Sequence, residues 1–166
     1  MPNRDNHSLS ELKEASFHLN YEINMLFISR VELSNAKNNV LGAIKNAYLL
    51  NAILESFLIH TRNLIDFFYI DSPLRRGDDV VAEHFIENWK IQRPLVTALL
   101  NDTKSRANKH LAHLTYERRS FEPPTWAFEE IERDLNNVLS NFFEYASEEK
   151  LCNEIVTTKN LLNTLR

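Results

Sequence analysis

The sequence predicts an all-α fold, an antiparallel bundle of about five to six helices around a long central helix. Only two of the 166 residues are glycine, so the tight turns that a multi-stranded sheet needs are scarce. Apolar residues recur at steps of three and four along most of the chain, which is the period of an amphipathic helix. The length and the lack of an internal repeat or low-complexity linker indicate one domain over residues 1–166.

The first helix is predicted from about Ser8 to about Ser34. Ser8 and Glu11 have the spacing of a capping box, in which each side chain binds the backbone N–H of the other residue. The apolar residues that follow at helical spacing are Leu12, Ala15, Leu19, Ile23 and Leu26.

The second helix, predicted from about Val40 to Ile70, is the most apolar part of the chain. Its apolar residues cover more than one stripe, so we expect it to be central and packed on several sides. They include Val40, Ile44, Tyr48, Leu58, Ile65 and Phe68. The residues Asp71-Ser72-Pro73 should end it, because proline interrupts helical hydrogen bonding.

Two further helices are predicted before residue 120. A short one covers about Asp79 to Trp89. Pro94 then opens a longer one, since proline is favoured in the first turn, and this helix runs to about Glu117.

The prolines at 123 and 124 break the pattern, and Thr125 is predicted to cap the next helix. Its apolar stripe has the regular alternation of a packed helix: Phe128, Ile131, Leu135, Val138, Phe142 and Tyr145. A weaker last helix is predicted over about Glu149 to Leu165.

The composition is that of an ordinary globular protein, with 43% hydrophobic and 25% charged residues. A net charge of -4 excludes a uniformly basic surface for nucleic acid. Residues 104–119 nevertheless carry five basic residues and one acid, whereas 124–154 carry eight acids and two basic residues. A local basic strip can attract phosphate, and the alternative is that the two segments face each other or solvent.

A cytoplasmic location is expected. The single cysteine, Cys152, cannot form an internal disulfide and suggests a reducing compartment. The first seven residues are polar and lead into no apolar signal core. Since no apolar run approaches the ~20 residues that span a bilayer, we expect no membrane association.

The residues with the most chemical potential lie between Arg106 and Glu117. On a helix, His110 and His113 fall within about 40° of Arg106, on either side of it, and Glu117 within about 20°. The four form one polar stripe that borders an apolar stripe, as in a partly desolvated cleft or an interface.

This combination can act on a phosphodiester without a metal. A histidine exchanges protons near neutral pH, and an arginine stabilises phosphate oxygens as negative charge develops. Glu117, one turn beyond His113, can hold its imidazole in one tautomer. The alternative is structural: His113 and Glu117 form a surface pair, and Arg106 caps a helix or bridges to an acidic one.

Four polar residues also share one face of the central helix: Asn51, Glu55, Arg62 and Asp66. Charges on a buried helix need partners. Arg62 and Asp66 can pair at i,i+4, and Glu55 would need another partner, either Arg106 or a histidine. The alternative is a structural salt-bridge network. His60 points elsewhere and is expected to be structural or exposed.

An arginine separated by six residues from a histidine, as in Arg106 and His113, resembles the signature of the HEPN family. In that family four to six residues separate the two. The predicted central helix with Glu55 and Arg62 also resembles the family's core helices. The position after the arginine, commonly polar in the family, is Ala107 here, and some members are non-catalytic binding modules.

The resemblance implies a bundle that dimerises and brings two arginine-histidine pairs to a shared cleft. Active members cleave RNA without metal or cofactor, with the 2′-hydroxyl as nucleophile. Many are toxins or antiviral-defence proteins beside a nucleotidyltransferase-like partner. Arg106 and His113 are then catalytic, and the supporting residues are His110, Glu117, Glu55, Arg62 and Asp66. The implied partners are RNA, a second copy in a homodimer, and a nucleotidyltransferase-like antitoxin.

Other classes fit less well. His110 and His113 share a face and can hold a metal, but no Glu-x-x-His for a di-iron bundle and no zinc-binding cysteine set occurs. No Walker loop or Rossmann fingerprint is present. The main alternative is a non-catalytic helical module that binds a protein partner, a nucleotide or RNA. Bulky residues could supply its interface, although we expect most of them to belong to the core: Phe67, Phe68, Tyr69, Trp89 and Trp126.

Overall fold

The computed structural model describes residues 7–38, 47–71, 75–112 and 125–164, and over these ranges the all-α prediction is confirmed. They form six α-helices and no strand. The helices are α1 (Leu9–Asn38), α2 (Ala47–Tyr69), α3 (Trp89–Gln92), α4 (Ala98–Ala112), α5 (Phe128–Tyr145) and α6 (Asn153–Thr164), with 3₁₀ turns at Ala82–His84 and Glu148–Lys150. None of the described helices is long and apolar enough to cross a membrane.

The predicted capping box begins α1. The Glu11 carboxylate accepts the backbone N–H of Ser8 at 2.7 Å, and the Ser8 hydroxyl accepts the backbone N–H of Glu11 at 3.3 Å. The hydrogen bond from the Ser8 backbone holds the pKa of Glu11 below its ordinary value. The helix continues to Asn38, four residues beyond the predicted end.

The central position predicted for the second helix is confirmed, because α2 packs against α1, α4 and α5. Glu22 of α1 bonds His60 and Asn63 of α2, and Ser29 lies opposite Ser56. As the α1 number rises the α2 number falls, so the two helices are antiparallel. Residues 40–46 of the predicted helix lie outside the described residues.

An aromatic cluster closes the core where α2, α3 and α5 meet. Its rings, mostly in edge-to-face contact, belong to Phe67, Phe68, Phe85, Trp89 and Phe142. The indole N–H of Trp89 and the guanidinium of Arg93 both donate to the carbonyl of Phe68, at 2.9 and 2.7 Å. That carbonyl belongs to the last turn of α2, where helical acceptors lack partners, so these bonds fix the end of α2.

The helix predicted over Asp79–Trp89 is wrong. The segment forms a 3₁₀ turn and bends, followed by the four-residue α3. Its apolar residues other than Val80 do become buried, but the carbonyl of Phe85 accepts Lys150 Nζ at 2.8 Å instead of continuing a helix. Asn88, in the left-handed conformation with φ 57°, redirects the chain into α3.

The predicted starts of two later helices are also wrong. Helix α4 begins at Ala98 and not at Pro94, because the hydroxyl of Thr97 accepts the backbone N–H of Leu100 at 3.1 Å. Helix α5 begins at Phe128, without a side-chain cap, and not directly after Thr125.

The structure describes one of the two remaining predicted helix boundaries. The predicted last helix divides into the 3₁₀ turn at Glu148–Lys150 and α6. The helix predicted to open at Pro94 was expected to end at about Glu117, which lies outside the described residues.

Candidate functional site

Only part of the predicted polar stripe falls within the described structure. Arg106 lies on α4 with a described side chain, and His110 belongs to the same helix. His113 and Glu117 lie outside the described residues. The described part of the candidate site therefore consists of Arg106 and the residues that contact it.

Arg106 makes three contacts, of which one lies within α4 and two join α4 to the segment before α5. Its Nη1 lies 3.2 Å from the Asp102 carboxylate, and its Nη2 donates to the carbonyl of Thr125 at 3.2 Å. The guanidinium carbon lies 4.2 Å from the centre of the Trp126 ring. The acid that pairs with Arg106 stands one turn earlier on its own helix, not on a neighbouring acidic helix.

These contacts fix the guanidinium while leaving it accessible. The Arg106 side chain is 29% exposed, and that of Asp102 is 57% exposed. An ion pair with so exposed a carboxylate is weak and can exchange with another anion. Trp126 covers one face of the guanidinium, which strengthens electrostatic interactions there by excluding water. Arg106 is thus held at a defined position with an exchangeable anionic partner.

The central-helix charges do not reach Arg106. Glu55 is exposed and makes no ion pair within the described part of the chain. The predicted Arg62–Asp66 pair is present but long, with Nε and Oδ2 3.9 Å apart. Asp66 instead contacts Lys104 Nζ of α4. The partner suggested for Glu55, Arg106, is therefore wrong for this structure.

Arg62 and Asp66 instead border a cleft of about 400 Å³ between α2 and the segment 75–80. Its polar lining comes from Arg62, Asn63, Asp66, Arg76 and Asp79. Arg106 is not among the residues that line it. The structure thus separates two groups of residues that the sequence had joined in one site.

His60 is a structural histidine, as predicted. It is 8% exposed, and its Nδ1 lies 2.7 Å from Glu22 Oε2, which also accepts the Asn63 side-chain amide at 3.0 Å. The edge of Tyr21 packs against its ring at 5.5 Å. A second depression of about 210 Å³, bordered by His18, Glu22 and Asn63, adjoins the first along Asn63.

Two other ion pairs have shifted pKa values but serve the fold. Lys90, with help from Arg93, holds the pKa of Asp71 below its ordinary range. Burial raises the pKa of Glu132, and the Arg30 guanidinium, 2.7 Å away, opposes that rise. Each pair joins a helix to another part of the fold, and neither pair contacts Arg106.

Sequence reasoning missed the immediate partners of Arg106. Asp102 was detectable, because it stands at the i,i+4 spacing that pairs charges on a helix. Trp126 was considered only as a bulky interface residue, since no local pattern reveals contact across 20 residues. Neither Arg76 nor Asp79 was predicted to take part in a site, since no local pattern pairs them with α2. Phe67, Phe68 and Trp89, considered for an interface, are core residues.

Comparison with protein-family models, with curated proteins and with solved structures finds no match in any of the three. Among the described residues no group of three or more histidine, cysteine or acidic side chains is placed to hold a metal ion. The resemblance to the HEPN signature therefore rests on Arg106 and His113 themselves.

Proposed function

We propose that this chain is a HEPN-like, metal-independent endoribonuclease in which Arg106 and His113 act on the scissile phosphodiester. The observation that carries the proposal is the state of Arg106. Its guanidinium is fixed by Trp126 and the Thr125 carbonyl, while its ionic partner, Asp102, is exposed and exchangeable. An RNA phosphate can take the place of that carboxylate with little loss of stability.

The proposed chemistry is transesterification within the RNA chain. The 2′-hydroxyl attacks the adjacent phosphorus, the bond to the 5′-oxygen of the next nucleotide breaks, and a 2′,3′-cyclic phosphate and a 5′-hydroxyl form. The imidazole of His113 takes part in the proton transfer between the 2′-hydroxyl and the leaving oxygen. Arg106 holds the phosphate oxygens as charge develops on them.

The remaining roles follow from the resemblance to the family. Glu117 would orient the His113 imidazole, and His110 would border the same cleft from α4. A homodimer would bring two such pairs together. A nucleotidyltransferase-like antitoxin would restrain the activity in the cytoplasm until a defence response requires it.

The experiment is an RNA cleavage assay with the purified chain in excess chelator. A fluorescent single-stranded RNA is compared with an oligonucleotide of the same sequence made of DNA. We expect cleavage of the RNA alone, with cyclic phosphate ends detected by mass spectrometry. Cleavage of both strands, or loss of RNA cleavage in chelator, would overturn the proposal.

A second candidate, a non-catalytic module that binds a second copy of the chain, is favoured by the surface of α1. Large apolar side chains, each 43% exposed or more, follow one face of that helix: Phe17, Tyr21, Ile28 and Val31. An apolar stripe of this kind, interrupted here by Asn24, marks an interaction surface. Around a two-fold axis, the same stripe on two copies can cover itself.

Analytical ultracentrifugation tests this candidate. We expect a dimer for the native chain and a monomer for Ile28→Lys, which places a charge in the centre of the stripe. Glu144→Lys, at an exposed position of α5, is the matched control and should remain dimeric. If Glu144→Lys is a monomer like Ile28→Lys, or if all three proteins are dimers, α1 is not the interface.

A further inference from the structure

We propose that the cleft between α2 and the segment 75–80 binds a small phosphate-bearing molecule through Arg62 and Arg76. The cleft is about 400 Å³, within the range of sites that enclose small molecules. It is separate from the proposed ribonuclease site, because Arg106 does not line it, and the inference does not depend on RNA cleavage.

The two acids of the cleft already have partners. Asp79 accepts the backbone N–H of Arg76 at 2.6 Å and so closes the turn that begins at Arg76. Asp66 contacts Lys104 Nζ from α4. The ion pair with Lys104 offsets the charge of Asp66, and the carboxylate of Asp79 is held in place by the turn that it closes.

The arginines, in contrast, keep unused donors. Nε of Arg62 is a buried atom with no hydrogen-bond acceptor among the described residues, and it lies 3.9 Å from a carboxylate oxygen of Asp66. The Arg76 side chain is exposed, and within the described residues its guanidinium makes no hydrogen bond or ion pair. A buried donor without an acceptor is unfavourable, and a ligand oxygen in the cleft would relieve that cost.

The positions of the arginines suit an oxyanion with several oxygens. Arg62 stands on α2 and Arg76 on the facing segment, so a ligand between them receives donors from two sides. Planar guanidinium groups bind phosphate through paired hydrogen bonds. With Lys104 beside Asp66, three cations oppose two carboxylates around the cleft.

The remaining, smaller part of the exposed cleft wall is apolar and can contact a small apolar group of the ligand. Phe67, Ile70 and Val80 complete the lining. A phosphate alone would leave this surface in contact with water, whereas a phosphomonoester with a compact ring would cover it. Phenyl phosphate therefore serves as a probe of the site, with inorganic phosphate and phenol as its two halves.

Isothermal titration calorimetry with the full chain tests the proposal. We expect phenyl phosphate to bind with a Kd on the order of 0.1–1 mM, inorganic phosphate more weakly, and phenol not measurably. Arg62→Gln and Arg76→Gln should each weaken phenyl phosphate binding about 10-fold or more, because each removes a charged hydrogen-bond pair. Arg133→Gln, exposed on α5, is the matched control and should bind as the native chain does.

Several results would overturn the inference. One is no binding of phenyl phosphate up to about 10 mM, a concentration that reaches the weakest specific affinities. Others are equal affinity in Arg62→Gln, Arg76→Gln and Arg133→Gln, or binding of phenol as tight as that of phenyl phosphate. Far-UV circular dichroism verifies folding, and if Arg62→Gln fails to fold, the exposed Arg76→Gln decides.

Discussion

Asp102→Asn separates a catalytic from a structural role of Arg106. The substitution removes the ionic partner that Arg106 has among the described residues and keeps the size of the side chain. Because Asp102 is 57% exposed, the lost ion pair should reduce the free energy of unfolding by less than ~1 kcal/mol. The contacts to Thr125 and Trp126 remain, so the guanidinium should keep its position.

The effect on RNA binding should have the opposite sign. A carboxylate about 4 Å from a bound phosphate repels it by about 1 kcal/mol in water, which corresponds to about 5-fold in affinity. If Arg106 holds an RNA phosphate, Asp102→Asn removes both this repulsion and the competing partner. We therefore expect RNA to bind about 5-fold more tightly at low salt, with a smaller gain as salt rises.

Fluorescence anisotropy with a labelled RNA carrying 2′-O-methyl groups measures binding without cleavage. Glu144→Gln is the matched control, because it removes one exposed negative charge from α5, far along that helix from the segment that Arg106 contacts. Affinity that does not change in Asp102→Asn, or that changes equally in Glu144→Gln, would refute the exchange of Asp102 for phosphate and favour a structural Arg106.

Three further predictions concern the fold. Ser8→Ala should reduce the free energy of unfolding by ~1 kcal/mol in urea titrations, because α1 loses its cap; no change would mean that the box does not stabilise the chain. Trp89→Phe removes the indole hydrogen bond to the Phe68 carbonyl, which keeps Arg93 as a donor, and should cost about 1 kcal/mol in the same assay, a loss that Trp126→Phe should not match. Burial raises the pKa of Glu132 in the folded protein, so its contribution to stability is greatest below the ordinary pKa and falls as pH rises through the raised one. Glu132→Gln should flatten that decline, and native and variant stability curves that stay parallel with pH would contradict this prediction.

Local patterns predicted the helices well where the deciding contacts are local. The α1 cap depends on Ser8 and Glu11, three residues apart, and sequence spacing reveals it fully. The stripe of α5 was equally readable, since Ile131, Leu135 and Phe142 are completely buried. For α5, the period of the apolar residues in the sequence matches the period of burial along the helix.

The predictions failed where a distant residue decides the backbone path. The segment after Asp79 has helical apolar spacing, but Lys150, 65 residues later, binds the carbonyl of Phe85. Such a tertiary hydrogen bond leaves no periodic trace in the sequence. The predicted start of α4 failed for a local reason: Pro94 fits a first turn, but the helix is capped at Thr97, whose hydroxyl accepts the backbone N–H of Leu100.

The candidate site shows the same division. Arg62 and Asp66 are four residues apart on one helix, as are Asp102 and Arg106, and both ion pairs are present. Long-range partners could not be foreseen, because neither Lys104 beside Asp66 nor Trp126 beneath Arg106 follows from helix geometry. The pairing of Glu55 with Arg106 failed for that reason.

The single-turnover rate of RNA cleavage in excess chelator, measured for the native chain, Arg106→Ala and His113→Ala, tests the proposed function most directly. Each alanine variant, verified as folded, should cleave at least about 100-fold more slowly than the native chain, because it lacks either phosphate stabilisation or proton transfer. Arg106→Lys should recover part of the rate, since it keeps the charge and loses the paired geometry. Full activity in Arg106→Ala or in His113→Ala would contradict the account.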